Sequence, residues 1–209
     1  VVVGCGDVVS GSTVAGTAQN PVGFCGVSGS NTSPGVWYTI PGTGGDITAS
    51  ICGGAGGADL RMQVSEGTCA ALTCTAGDDD FCSAPAFGEP EVTWASAAGT
   101  QYYIYVFGWS TVGQGFDMTI SCPPPANDLC DDAITVGCGD VASGTTAAAT
   151  AQNPVGFCGV AGSNTDPGVW YHFAGTGGTV TASLCGGAAG LDTRMQVSEG
   201  TCAALTCTA

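Results

Sequence analysis

The chain has 209 residues and a net charge of −15: 17 carboxylates stand against two arginines, with no lysine. That balance excludes a nucleic-acid partner, because phosphate binding needs Lys and Arg to release counterions. It also disfavours an anionic membrane surface and leaves no amine for a Lys–Asn isopeptide brace. Apolar residues reach 44% in short alternating runs, which argues against disorder, and none of these runs approaches the ~20 residues of a spanning helix.

Residues 3–76 recur as 136–209 at an offset of 133, without insertion and with 59 of 74 positions identical. A period this long exceeds the roughly 20–50 residues of a solenoid repeat and fits a string of whole domains. In chain order, strands are predicted at residues 36–40, 47–52, 60–65, 72–75, 91–96, 101–107, 116–122 and 133–136, between Gly, Pro, Ser and Asp clusters. Leu60-Arg61-Met62-Gln63-Val64 and Tyr102-Tyr103-Ile104-Tyr105-Val106-Phe107 alternate in the two-residue period of a strand. Short strands with turn signals every 8–15 residues predict an all-β, antiparallel β-sandwich. A turn is expected at Ala76-Gly77-Asp78-Asp79-Asp80. The prolines of Cys122-Pro123-Pro124-Pro125-Ala126 read as a stiff spacer, since consecutive prolines favour extended polyproline II. The expected organisation is a first repeat over 1–122, a linker over 123–126 and a second repeat over 127–209. The first repeat lacks a counterpart of residues 127–135 and the second a counterpart of 77–122, so the expectation is a window onto a longer array.

One period holds eight cysteines: Cys5, Cys25, Cys52, Cys69, Cys74, Cys82, Cys122 and Cys130. Cys138, Cys158, Cys185, Cys202 and Cys207 repeat five of them, and the odd total of 13 follows from the missing counterparts. Eight imply four disulfides, with 105 pairings open, and an oxidising, extracellular or cell-surface location. Zinc is set aside, because there is no Cys-x-x-Cys pair and no histidine cluster. Locally, a Cys74–Cys82 bridge across the acidic turn is expected.

His172 is the sole histidine and its counterpart is Thr39, so the first repeat has no imidazole base. Ser-His or Cys-His nucleophiles are therefore not expected, nor is a phosphate loop. Asp78, Asp79 and Asp80 could offer oxygens to calcium, against the plainer reading of a solvated turn. Glu89, Glu91, Asp128, Asp131 and Asp132 are weaker candidates. Asp59 and Arg61 lie two apart on one strand face and recur as Asp192 and Arg194, which predicts a local ion pair or a contact to an acidic patch on a neighbouring copy. Asn31-Thr32-Ser33 is an N-glycosylation acceptor, lost in the second copy where Asp166 replaces the serine. Trp94, Tyr103 and Trp109 could stack on sugars or belong to the core.

Asn127-Asp128-Leu129-Cys130-Asp131-Asp132-Ala133-Ile134, Val136-Gly137-Cys138-Gly139, Gly35-Val36-Trp37-Tyr38, the stretch 69–82, Gly99-Thr100-Gln101-Tyr102-Tyr103-Ile104-Tyr105-Val106 and Gly115-Phe116-Asp117-Met118-Thr119-Ile120 together resemble the bacterial pre-peptidase C-terminal domain. The similarity is strongest to its cysteine-rich variants, repeated in secreted and surface proteins. This resemblance implies a jelly-roll-like β-sandwich, extracellular placement and accessory, adhesive or structural duty without catalysis. The expected function is therefore a structural segment of an extracellular filament or surface stalk, self-associating head to tail or along a longer chain. Completion of each truncated copy by its neighbour is disfavoured, since only one segment like 77–122 is present and the first repeat needs it. The alternative is a carbohydrate- or protein-binding accessory module of a secreted enzyme or adhesin. No enzyme activity is expected, and no cofactor apart from calcium.

Overall fold

In the computed structural model, residues 1–19, 25–27, 33–82, 88–109, 113–152, 166–186 and 193–208 are described. Fourteen short elements follow one another in the chain. The strands are β1 (Val8–Ser12), β2 (Thr17–Ala18), β3 (Pro34–Pro41), β4 (Asp46–Ser50), β5 (Leu60–Thr68), β6 (Ala71–Asp78), β7 (Glu91–Ala95), β8 (Gln101–Gly108), β9 (Gly115–Ser121), β10 (Ile134–Val136), β11 (Tyr171–Phe173), β12 (Ser198–Thr201) and β13 (Ala204–Cys207), with a 3-10 turn at Cys130–Asp132. They fall into two units, Val1–Pro123 and Pro124–Ala209.

In the first unit, β9 alternates polar and apolar residues and buries Phe116, Met118 and Ile120. β4 does the same with Ile47 and Ala49, and β7 with Val92 and Trp94. These strands form an antiparallel sheet in the order β1-β9-β4-β7. Ile40, Leu60, Met62, Val64, Ile104 and Val106 come from an antiparallel sheet ordered β2-β3-β8-β5-β6 and join the same core. The unit is thus an antiparallel β-sandwich. Each fully buried aliphatic chain at these positions is worth about 1.5–3 kcal/mol.

β1 and β2 were not expected, because Val8–Ser12 and Thr17–Ala18 are short and mostly polar or small. Both lie at the edge of a sheet, where burial places little demand on sequence. The acidic turn also needs correction: β6 runs through Asp78, with Ala76, Gly77 and Asp78 paired to Val64, Gln63 and Met62. The expected Cys74–Cys82 bridge does not form, because each of the two cysteines is bonded to a partner from a different part of the chain. The observed pairs are Cys5–Cys122, Cys25–Cys74 and Cys52–Cys82. Cys25–Cys74 fixes residues 25–27 against β6, where Gly26 has φ +77° and a β-carbon there would lie 2.0 Å from the Gly77 carbonyl oxygen. Only glycine permits so close a backbone contact.

The second unit pairs β10 parallel to β11 and β12 antiparallel to β13. Cys130–Cys202 ties the 3-10 turn to the β12–β13 hairpin, and Cys207 is also disulfide-bonded. Cys69, Cys138 and Cys185, expected in disulfides, are instead exposed free thiols; Cys158 lies outside the described residues. Met195 and Val197 are 40% and 47% exposed, whereas the equivalent Met62 and Val64 are fully buried. The difference has a direct cause. β8 covers Met62 and Val64 as the neighbour of β5, and residues of the β8 type occur once in the 209.

Candidate functional site on the outer face of the five-stranded sheet

Alternation along β5 predicts an exposed face carrying Arg61, Gln63 and Ser65, yet these residues are 1%, 2% and 0% exposed. A second layer covers that face. Val27, Tyr105 and Phe107 form a separate apolar cluster with Trp37 packed against it. Strand register explains the arrangement, since Trp37 lies opposite Tyr105, Gln63 opposite Tyr105, and Arg61 opposite Phe107. Side chains at such positions share one face of the sheet.

The result is a continuous stack. Trp37 and Tyr105 have ring centroids 4.5 Å apart, Tyr105 and Phe107 5.0 Å apart. The Arg61 guanidinium then sits 4.8 Å from the Phe107 centroid and 4.7 Å from that of Trp109. Its Nη2 donates to the carbonyl oxygens of Gly108 (3.0 Å) and Trp109 (3.3 Å). A planar guanidinium suits this slot, because it stacks on rings while its edge donates hydrogen bonds.

Beyond the arginine lies a carboxylate cluster. Asp59, Asp79 and Asp80 bring one oxygen each within 4.8 Å of one another. The Asp79 carboxyl is pushed up to about 6, by burial first and then by Asp80, with Arg61 opposing the rise. Asp59 is raised by burial and then by Asp80, again against Arg61. The expected trio of Asp78, Asp79 and Asp80 is therefore rearranged. Asp78 ends β6 outside the cluster, its buried Oδ1 without a hydrogen-bond partner, while Asp59, the residue before β5, takes its place. Asp59 and Arg61 do neighbour one another, although Asp79 acts more strongly than Asp59 on the Arg61 charge. In the second unit, Arg194 pairs with Asp166 at 2.6 Å; Asp192 lies outside the described residues.

Among the weaker acidic candidates, Glu89 and Asp128 have structural partners. Glu89, 3% exposed, accepts hydrogen bonds from the N–H groups of Gly53 and Gly57 and holds that loop. Asp128 accepts from the Thr150 N–H at 2.6 Å and the Thr150 hydroxyl at 2.9 Å. Asp131 and Asp132 are exposed on the 3-10 turn, and Glu91 begins β7 facing Ser50. Among the aromatic candidates, Trp94 is buried in the sandwich core, Tyr103 is half-buried, and Trp109 is 50% exposed. His172 lies mid-way along β11, exposed and paired with Thr135. Asn31 lies outside the described residues. Sequence reasoning missed the ladder because its period-two pattern is the same for a solvated and a covered face. The one available signal was aromatic density: Tyr103, Tyr105 and Phe107 share the supposedly outer side of β8.

The raised carboxyls set a pH dependence. The folded state holds the Asp79 proton up to about pH 6, whereas an unfolded aspartate releases it near pH 4. Between those values the native state binds more protons, so this group makes stability fall as pH rises from about 4 to about 6. Asp79→Asn is expected to flatten that slope and raise the melting temperature at pH 7. An unchanged pH profile in thermal unfolding would contradict the assignment.

No family model matches the chain, and no curated protein matches it. Among solved structures, it is similar to the pre-peptidase C-terminal domain of a collagenase from Bacillus anthracis. That likeness has a TM-score of 0.37 and 12% sequence identity, covering 57% of this chain and 92% of that one.

Proposed function

We propose that this chain is a structural segment of an extracellular filament or surface stalk built from disulfide-braced β-sandwich repeats, and that it performs no catalysis. The observation that carries this reading is the gap-free 133-residue sequence repeat across the Pro123-Pro124-Pro125 spacer, with 59 of 74 shared positions identical. Selection for one bead shape and one connection accounts for such identity. Four disulfides between described residues fit an oxidising location. Among the described residues no helix is long and apolar enough to cross a membrane. Electron microscopy of the native material is expected to show filaments or stalks with a regular axial repeat. Isolated beads without longitudinal contacts would overturn the proposal.

Calcium belongs to the same reading as a brace rather than a catalyst. Asp59, Asp79 and Asp80 supply three convergent oxygens, and the buried Oδ1 of Asp79 has no hydrogen-bond partner. A hard cation takes six to eight oxygens, so carbonyls and water would complete the shell. Millimolar calcium is expected to raise the melting temperature at pH 7 relative to chelator, and to lose this effect in Asp79→Asn. Equal melting in calcium and chelator would remove the cation from the reading. Glycosylation at Asn31 is proposed as well, with intact-chain mass as its check.

The second reading, an accessory module that binds carbohydrate or protein, draws on Trp109. This ring is half exposed while its other face is held by Arg61, the presentation an aromatic platform needs to stack on a sugar. Retention on immobilised polysaccharide that is lost in Trp109→Ala would favour it over the filament.

A further inference from the structure

The four-stranded sheet ends in two open edges, and its register fixes which main-chain groups each edge presents. The Ile120 N–H donates to the Asp7 carbonyl and the Thr13 N–H to that of Gln114, so the odd residues of β1 bond β9. Bonding alternates along an antiparallel strand, which turns the N–H and C=O groups of Val8, Ser10 and Ser12 away from the sheet. At the far edge, the Ile51 N–H donates to the Pro90 carbonyl and the Ser96 N–H to that of Gly45. The even residues of β7 therefore bond β4, while Glu91, Thr93 and Ala95 present their groups outward. Among the described residues, β1 pairs only with β9 and β7 only with β4. Such edges are templates for a further strand unless a charge, a proline or a bulge guards them. β1 holds none of these, and β7 only Glu91. The lead-in strand β10 pairs with β11, the counterpart of residues 38–40 in β3, so it belongs with the five-stranded sheet and not with the β1 edge.

The two edges also fit each other. Both strands are five residues long, and they run antiparallel, three antiparallel steps apart. A second copy set beside the first in the same orientation therefore brings its β7 against β1 as an ordinary antiparallel neighbour. In the register that places Ser10 opposite Thr93 of the second copy, Val8 meets Ala95 and Ser12 meets Glu91. On the inner side Val9 meets Trp94 and Gly11 meets Val92. Apolar residues face apolar ones, hydroxyls face a hydroxyl or a carboxylate, and no like charges are opposed. Ser10 Oγ donates to Asp117 Oδ1 at 2.6 Å and so keeps lone pairs for Thr93, whose hydroxyl is bonded to that of Thr48 at 2.8 Å. Ser12 Oγ accepts the Val14 N–H at 3.2 Å, which leaves its own proton for Glu91.

We propose that β1 of one copy and β7 of the next form an edge-to-edge joint between copies of this chain. Each of the three outward pairs exchanges two main-chain hydrogen bonds, and the four-stranded sheet continues from copy to copy. The joint is heterologous and leaves one edge of each kind open at the ends of a pair, so it propagates instead of closing as a dimer. It names the self-association surface of the filament reading and rests on that reading for its biological role.

The test follows the mass of the full chain by light scattering across a concentration series. Physiological salt screens long-range repulsion between copies of net charge −15, and the mass is expected to rise past the dimer. Thr93→Pro removes one outward N–H and spares the β4 ladder; it is expected to weaken association at least about tenfold. Val8→Lys with Ala95→Lys opposes like charges in this register and is expected to do the same. Its two added cations bring the net charge from −15 to −13, which by bulk charge alone would promote association. Val8→Glu with Ala95→Lys keeps the net charge and is expected to associate like the parent. Val8 and Ala95 are exposed, so both double variants are expected to melt like the parent. A chain that stays monomeric, a mass that stops at the dimer, as β1–β1 or β7–β7 pairing would give, or equal association of the two double variants would each overturn the joint. Filaments that persist with both lysines would remove the joint and leave the filament reading standing. Association in solution that follows this pattern, with no filaments in the native material, would remove that reading and leave the joint.

Discussion

Replacing both Cys5 and Cys122 with serine is expected to lower the stability of the first unit by about 4–5 kcal/mol. This bridge spans 117 residues, against 49 for Cys25–Cys74 and 30 for Cys52–Cys82. In the chain-entropy account the constraint on the unfolded state grows with the logarithm of the loop, giving about 4 kcal/mol and about 3.5 kcal/mol for the two shorter bridges. The long bridge also joins the ends of the unit where β9 pairs with the whole of β1, from Val8–Thr119 to Ser12–Gly115. Denaturant unfolding of the three paired-serine variants should therefore rank them in that order. If loss of Cys25–Cys74 proves the most damaging, the arm at residues 25–27 is contributing more by covering Tyr105 and Phe107 than its bridge contributes by loop closure. Cys69→Ser, which removes only an exposed free thiol, is expected to stay within about 0.5 kcal/mol of the parent.

Arg61→Ala is expected to cost about 3–5 kcal/mol, the range for removing one partner from a buried charged network. Three losses coincide. The carbonyls of Gly108 and Trp109 lose their donor, the slot between the Phe107 and Trp109 rings empties, and the Asp59–Asp79 neighbourhood loses its cation. Arg61→Lys keeps the charge but neither the fork nor the stacking plane, and is expected to recover less than half of the loss. Because Asp79 carries the strongest attraction to Arg61, Asp79→Asn should soften the defect, so the double variant will be less damaged than the two single changes add up to. A loss under about 1 kcal/mol for Arg61→Ala would mean that the ladder is a surface ornament rather than a second core.

Where a strand has one buried side, its sequence was enough to place it. Phe116, Met118 and Ile120 alternate with polar residues, as do Val92 and Trp94, and those strands lie within one or two residues of the expected positions. The 133-residue repeat and the cysteine inventory were equally plain, since both require only comparison and counting. The candidate site was legible only in part. Asp79 and Asp80 were expected together, but their third partner, Asp59, arrives from the segment leading into β5.

Sequence alone therefore determined the all-β class, the repeat, the acidic surface and the absence of a histidine base from the first copy, because these depend on local periodicity and composition. Tertiary structure decided which cysteines bond, that Arg61 is buried, and that Asp59 joins Asp79 and Asp80. Each of those outcomes depends on contacts between residues tens of positions apart. Alternation reports that a strand has two faces; it carries no record of what will later cover the second one.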